Sequence, residues 1–211
     1  MADVPAWRVH LGMPLCGRRM VEGGMAAVLE LSRRDTMLAY LAPMVRQAAG
    51  EFAAALAELR ERFAPADGPI GVVGGSLGGA VALRVLAERR IPVAAAALVN
   101  PAIRARSVVE LVEQNGGRPY SWTEQARAPQ PALLLVSGEL DFPGLRTDAA
   151  ELVAELRERY AEPDRVQLTA VAGLAHPLAE RPGLAPAPQL PVAKEVDAAL
   201  TEWFLRHLTV R

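Results

Sequence analysis

Ser76 lies in Gly74-Gly75-Ser76-Leu77-Gly78, which fits the pattern Gly-x-Ser-x-Gly. The run Ile70 to Val73 before it reads as a short buried strand, and Ala80 to Arg90 after it reads as a helix rich in Ala and Leu. A strand, a glycine-rich turn and a helix in that order can present a serine hydroxyl as a nucleophile. The turn is tight, so the residues two before and two after the serine are expected to be small. The hydroxyl then projects from the carboxyl end of the strand, where α/β proteins bind ligands. A helix opening at Leu77 points its first amides at the same place, which favours a developing oxyanion. Glycine-rich turns of this kind also cradle phosphates. Here neither Gly-Lys-Ser/Thr nor Gly-x-Gly-x-x-Gly can be laid over residues 71–79, so both nucleotide motifs fail.

A serine nucleophile needs a base, and the base needs an orienting acid. Only three histidines exist. His207 lies beside Phe204 and Leu208 and reads as a partly buried helix residue. His10 lies in an early strand and reads as structural or site-lining. His176 stands in Ala172-Gly173-Leu174-Ala175-His176-Pro177, a loop just past the last strand, from which an imidazole can reach Ser76. The acid candidate is Asp141, in Val136-Ser137-Gly138-Glu139-Leu140-Asp141, with Glu139 as its competitor. Taken singly, the bland readings are a glycine-rich turn, a solvated loop histidine and a turn aspartate. Together, three candidates just past strand ends, in the order Ser, Asp, His, make a constellation for acyl transfer.

These residues resemble the α/β-hydrolase superfamily along nearly the whole chain. Gly74-Gly75-Ser76-Leu77-Gly78-Gly79, Gly138-Glu139-Leu140-Asp141 and Gly173-Leu174-Ala175-His176 are similar to its three catalytic turns, and His10-Leu11-Gly12-Met13-Pro14 is similar to the oxyanion turn of carboxylesterases and dienelactone-hydrolase-like members. Dienelactone hydrolases themselves are less similar at the centre, where they use a cysteine in the place of Ser76. The resemblance implies a serine hydrolase with Ser76 as nucleophile, His176 as base and Asp141 as the acid. It implies an oxyanion hole from the Leu77 amide and one amide of residues 13–15. Pro14 has no amide hydrogen, which leaves Met13, the preferred donor, or Leu15. No metal and no organic cofactor is required.

The elements that must position this constellation follow from hydrophobic patterning. Short apolar runs at Val9–Gly12, Ile70–Val73, Pro92–Val99, Ala132–Val136 and Arg165–Val171 alternate with helical stretches. That predicts a three-layer α/β/α sandwich with a mainly parallel sheet of about five strands, a minimal α/β-hydrolase fold. Residues 21–63 read as largely helical. Asp148 and Glu151 stand like a capping box ahead of the helix that carries Leu152 and Leu156. A final helix turns Val196, Leu200, Trp203 and Phe204 inward. The whole chain, 1–211, reads as one domain. A more polar, cap-like excursion at about 103–128 holds Tyr120 and Trp122, which either line an apolar acyl pocket or simply anchor the loop.

Composition narrows the class. Of the 211 residues, 51% are hydrophobic and 22% charged, which excludes a disordered chain. The formal net charge is -1 with no basic block, which speaks against nucleic acid or an anionic membrane as partner. Cys16 is the only cysteine, so no intramolecular disulfide is expected, and no secretory or membrane-spanning run is evident. The expected location is the cytoplasm and the expected partner a small acyl substrate, an ester or thioester. A peptidase, or a binding protein that keeps the fold without turnover, is the alternative. An uncovered strand at Val9–Gly12 would leave a sheet edge, to be shielded by the helices of residues 20–63 or by a second copy, with a homodimer weakly favoured.

Overall fold

A computed structural model describes residues 1–65, 67–104, 130–180 and 188–208. Four strands pair in chain order and in parallel: β1 (Ile70–Gly75), β2 (Val93–Val99), β3 (Ala132–Gly138) and β4 (Val166–Val171). β2 and β3 are apolar almost throughout because both of their faces are covered, as parallel strands require. Alternate side chains serve two cores. Ala96, Leu98, Leu133 and Leu135 belong to one, and Ala95, Ala97, Leu134 and Val136 to the other.

Among the described residues, five α-helices complete the layers: α1 (Gly24–Arg34), α2 (Ala42–Phe63), α3 (Leu77–Glu88), α4 (Pro143–Arg159) and α5 (Ala193–His207). The first core takes Val45 and Ala49 from α2, Leu83 and Val85 from α3, and Leu152 and Leu156 from α4. The second takes Val196, Leu200, Trp203 and Phe204 from α5, with Val4 beside them. Between α1 and α2 the chain winds as a π-helix over Thr36–Leu41, whose first turn is capped by the Asp35 carboxylate accepting from the Leu38 amide. No described helix is long and apolar enough to cross a membrane.

Three expectations change. Residues 9–12 form no strand, so the described sheet has four strands rather than about five. Val9 and Leu11 are the only apolar side chains of that run, and each stays 49% exposed. The run then breaks at Gly12 and Pro14, leaving too little burial to offset the ordering of a strand. Its ends attach to α2 instead: Trp7 rests on Phe63, and Arg19 donates to the Gly12 carbonyl while also binding Glu51. Among the described residues the edge of the sheet on this side is therefore β1, where Val73 is 48% exposed. Second, Asp148 and Glu151 do not cap a helix. Pro143, whose fixed φ suits a first helical position, starts α4 earlier. Asp148 is buried inside α4 and, with Glu151, receives Arg104 of the chain leaving β2. Third, Tyr120, Trp122 and nearly all of the 103–128 excursion lie outside the described residues.

Candidate active site

The three candidate turns come together because β1, β3 and β4 end on the same side of the sheet. Ser76 follows β1 with φ 49° and ψ -120°, a conformation L residues rarely adopt. Such strain persists only where the surroundings enforce it. The Ser76 amide donates to the Val99 carbonyl, and the Ser76 carbonyl accepts from the Gly79 and Ala102 amides. A Cβ on Gly74 would lie 2.3 Å from the Gly78 carbonyl oxygen, so strand and helix can meet at this angle only over a glycine. The second glycine requirement falls one residue later than the motif implies. A Cβ on Gly78 would meet nothing within 4 Å, whereas one on Gly79 would lie 2.6 Å from Pro101 Cβ.

His176 connects the other two candidates. Its Nδ1 lies 2.8 Å from Asp141 Oδ1 and its Nε2 lies 2.9 Å from Ser76 Oγ. A carboxylate oxygen accepts, so Nδ1 carries the proton and the Nε2 lone pair faces the serine hydroxyl. The Asp141 side chain is 1% exposed and that of His176 is 27% exposed. The acid is thus shielded from water while the base is open to a ligand. Asp141 Oδ1 also accepts from the Phe142 amide, which holds the carboxylate in place. Glu139, the competing acid, is engaged elsewhere: its carboxylate accepts from the Gly173 amide.

The acid and histidine turns continue the β3–β4 pairing beyond the strands. The Glu139 amide donates to the Val171 carbonyl and the Leu140 amide to the Leu174 carbonyl. Leu77 is the first residue of α3, and amides in that first turn have no acceptor within their helix. Met13 opens a turn in which the Cys16 amide donates to its carbonyl. Pro14 and Leu15 are the central residues, with Leu15 at φ 59°. Pro followed by a positive φ is the pattern of a type II turn, unusual without glycine at the second position. His10 is exposed and His207 stacks on Trp203, so neither competes with His176.

Two features were missed in the sequence. Phe142 stands edge-on to the His176 ring, with centroids 5.7 Å apart, and is itself 45% exposed, as is the neighbouring Leu140 at 64%. Asn100, which directly follows the apolar run Pro92–Val99, is buried between the turns at the end of β2. Its place just past a strand's carboxyl end was the available signal.

The family described as "Alpha/beta hydrolase family" matches over residues 7–209. No curated protein matches the sequence. Among solved structures, the chain is similar to esterase PE8 with a TM-score of 0.50 and 19% identity, covering 79% of this chain and 63% of that one. It is similar to the Francisella virulence factor BioJ with a TM-score of 0.54 and 19% identity, covering 78% and 60%. It is also similar to a Paleococcus ferrophilus monoacylglycerol lipase with a TM-score of 0.50 and 15% identity, covering 77% and 76%. At these identities the likeness is one of fold. The chain spans about 60% of the length of the first two.

Proposed function

The chain belongs to the alpha/beta hydrolase family, and from that premise we propose that it is a serine hydrolase that cleaves an ester or thioester through an acyl-enzyme. The observation that carries this reading is His176 standing between Asp141, at 2.8 Å, and Ser76, at 2.9 Å. His176 Nε2 takes the proton from Ser76 Oγ as the oxygen bonds to the acyl carbon. Asp141 holds the imidazole tautomer and stabilises its charged form. The oxyanion is received by the Leu77 amide and the Met13 amide. As the intermediate collapses, His176 returns the proton to the departing alcohol or thiol. Water, deprotonated by His176, then releases the acid and restores Ser76.

Exposed Phe142 beside His176, with exposed Leu140 on the same turn, supports a substrate with an apolar acyl or alkyl group. A matched series of p-nitrophenyl esters, acyl thioesters and peptide p-nitroanilides tests the reading. Turnover of the first two is expected, with loss on the order of 10⁴-fold or more in kcat for His176→Ala. A folded protein that turns over none of them, or only the anilides, contradicts it.

A further inference from the structure

The three candidate turns share one side chain that none of them contains. Asn100 ends β2, is 2% exposed, and has φ 45°. Its Oδ1 accepts from the Gly138 amide at 2.7 Å, at the start of the acid turn. Its Nδ2 donates to the Ala175 carbonyl at 2.9 Å and the His176 carbonyl at 3.2 Å, in the histidine turn. Its own amide donates to Val136 of β3. The flanking residues hold the nucleophile: Val99 accepts from the Ser76 amide, and the Ala102 amide donates to the Ser76 carbonyl.

The residue type fits this place closely. An amide side chain offers one acceptor and two donor hydrogens, and all three are used here. Exchanging O and N would set a donor against the Gly138 amide and an acceptor against two carbonyls, so the orientation is fixed by its partners. Asn is also among the few residues that tolerate a left-handed backbone. Leucine or valine would leave a buried amide and two part-buried carbonyls without this partner.

We propose that Asn100 is a positioning residue for the triad, setting the distance between the Asp141 turn and the His176 turn so that Nδ1 meets the carboxylate. The assignment rests on the reading of Ser76, Asp141 and His176 as a triad. Without Asn100, the β3–β4 extension still holds Glu139 and Leu140, but among the described residues no backbone bond ties His176 itself to the sheet. An imidazole displaced by a fraction of an ångström keeps the fold and loses its alignment with Ser76 Oγ.

Two variants of the full chain test this. Asn100→Gly keeps the backbone conformation and removes the side chain, and Asn100→Asp keeps the shape and removes the donors. The direct readout is the low-field proton resonance of His176 Nδ1–H, identified by its loss in His176→Ala. In both variants we expect a cooperative melt, loss or broadening of that resonance, a fall in kcat of about 10–100-fold and a KM changed by less than about threefold. A folded variant that keeps the resonance and a kcat within about threefold of the parent overturns the proposal. So does loss of the cooperative melt in both, which would make Asn100 a folding residue only. A parent chain that shows the resonance but hydrolyses no ester contradicts the hydrolase reading instead, and the resonance in the variants still decides the role of Asn100.

Discussion

At the carboxyl edge of the sheet, β3 is buried along its whole length, and each strand end is hydrogen-bonded to the turn of a neighbour. In the first 41 residues, by contrast, Trp7 is 69% exposed, Met25 58% and Leu38 72%. Several of the bonds that fix this region, such as Arg19 to Gly12 and Glu51, are themselves exposed, although Ser32 and Thr36 form a buried pair. Exposed bonds of this kind contribute little, whereas a buried network holds its members to one geometry. Ser76, His176 and Asp141, the proposed nucleophile, base and acid, all sit on the well-packed side. Met13, the proposed second oxyanion donor, sits on the lightly held side. Alignment of the proposed triad is thus built into the sheet, while the segment that carries Met13 is held by fewer buried contacts.

The sharpest way to break this contrast is at the acid. Asp141→Asn is expected to cost on the order of 10⁴-fold in kcat, because the amide favours the wrong imidazole tautomer. Glu139→Gln, two residues away, is expected to stay within about tenfold because that carboxylate only holds the Gly173 amide. Steady-state kinetics on one ester compares the pair, and a dead Glu139→Gln would reverse the assignment.

Packing at the turns comes next. Gly138→Ala would bring a Cβ within 2.3 Å of the Leu174 carbonyl oxygen, and the cost is expected to exceed about 3 kcal/mol. Leu134→Ala, at 2% exposure under α5, should cost about 2–5 kcal/mol. Leu38→Ala on the lightly held side should stay within about 0.5 kcal/mol. Urea unfolding measures all three, and a Leu38→Ala cost equal to that of Leu134→Ala would erase the contrast. Gly78→Ala is the opposite case. Its Cβ meets nothing within 4 Å, so a helix former there should add up to about 1 kcal/mol, while Gly79→Ala destabilises against Pro101.

The smallest effect is a pH dependence remote from the site. Burial, and then Arg165 and Arg206, hold the His207 imidazole below its ordinary 6.5, against a weaker opposing pull from Glu162. The unfolded chain therefore binds that proton more readily, and stability falls as pH drops from about 6.5 toward the lowered value. His207→Gln is expected to flatten this slope in thermal melts between pH 7 and 5, and an unchanged slope would place its origin elsewhere.

Much of this was legible in the sequence because it depends on local signals. The apolar runs that became β1 to β4, the small residues around Ser76, and the order of Ser76, Asp141 and His176 each announce themselves within a few residues. What was not legible depends on partners far along the chain. Asn100 finds Gly138 at a separation of 38 residues and Ala175 at 75, so its place just past a strand end marks the position but not its partners. Asp148 looks like a cap until Pro143 starts the helix before it. The alternation of Val9 and Leu11 reads as a strand, but a strand also needs a neighbour and cover, and neither is encoded nearby. Gly78 and Gly79 exchange roles because the crowding comes from Pro101, outside the motif.

Whether Ser76 is an activated nucleophile is decided by intact-mass analysis after treatment with a fluorophosphonate. The folded parent chain should gain a single adduct that peptide mapping assigns to Ser76, and folded Ser76→Ala should gain none. A folded parent chain that stays unlabelled, or a Ser76→Ala variant labelled to the same extent, would contradict that role.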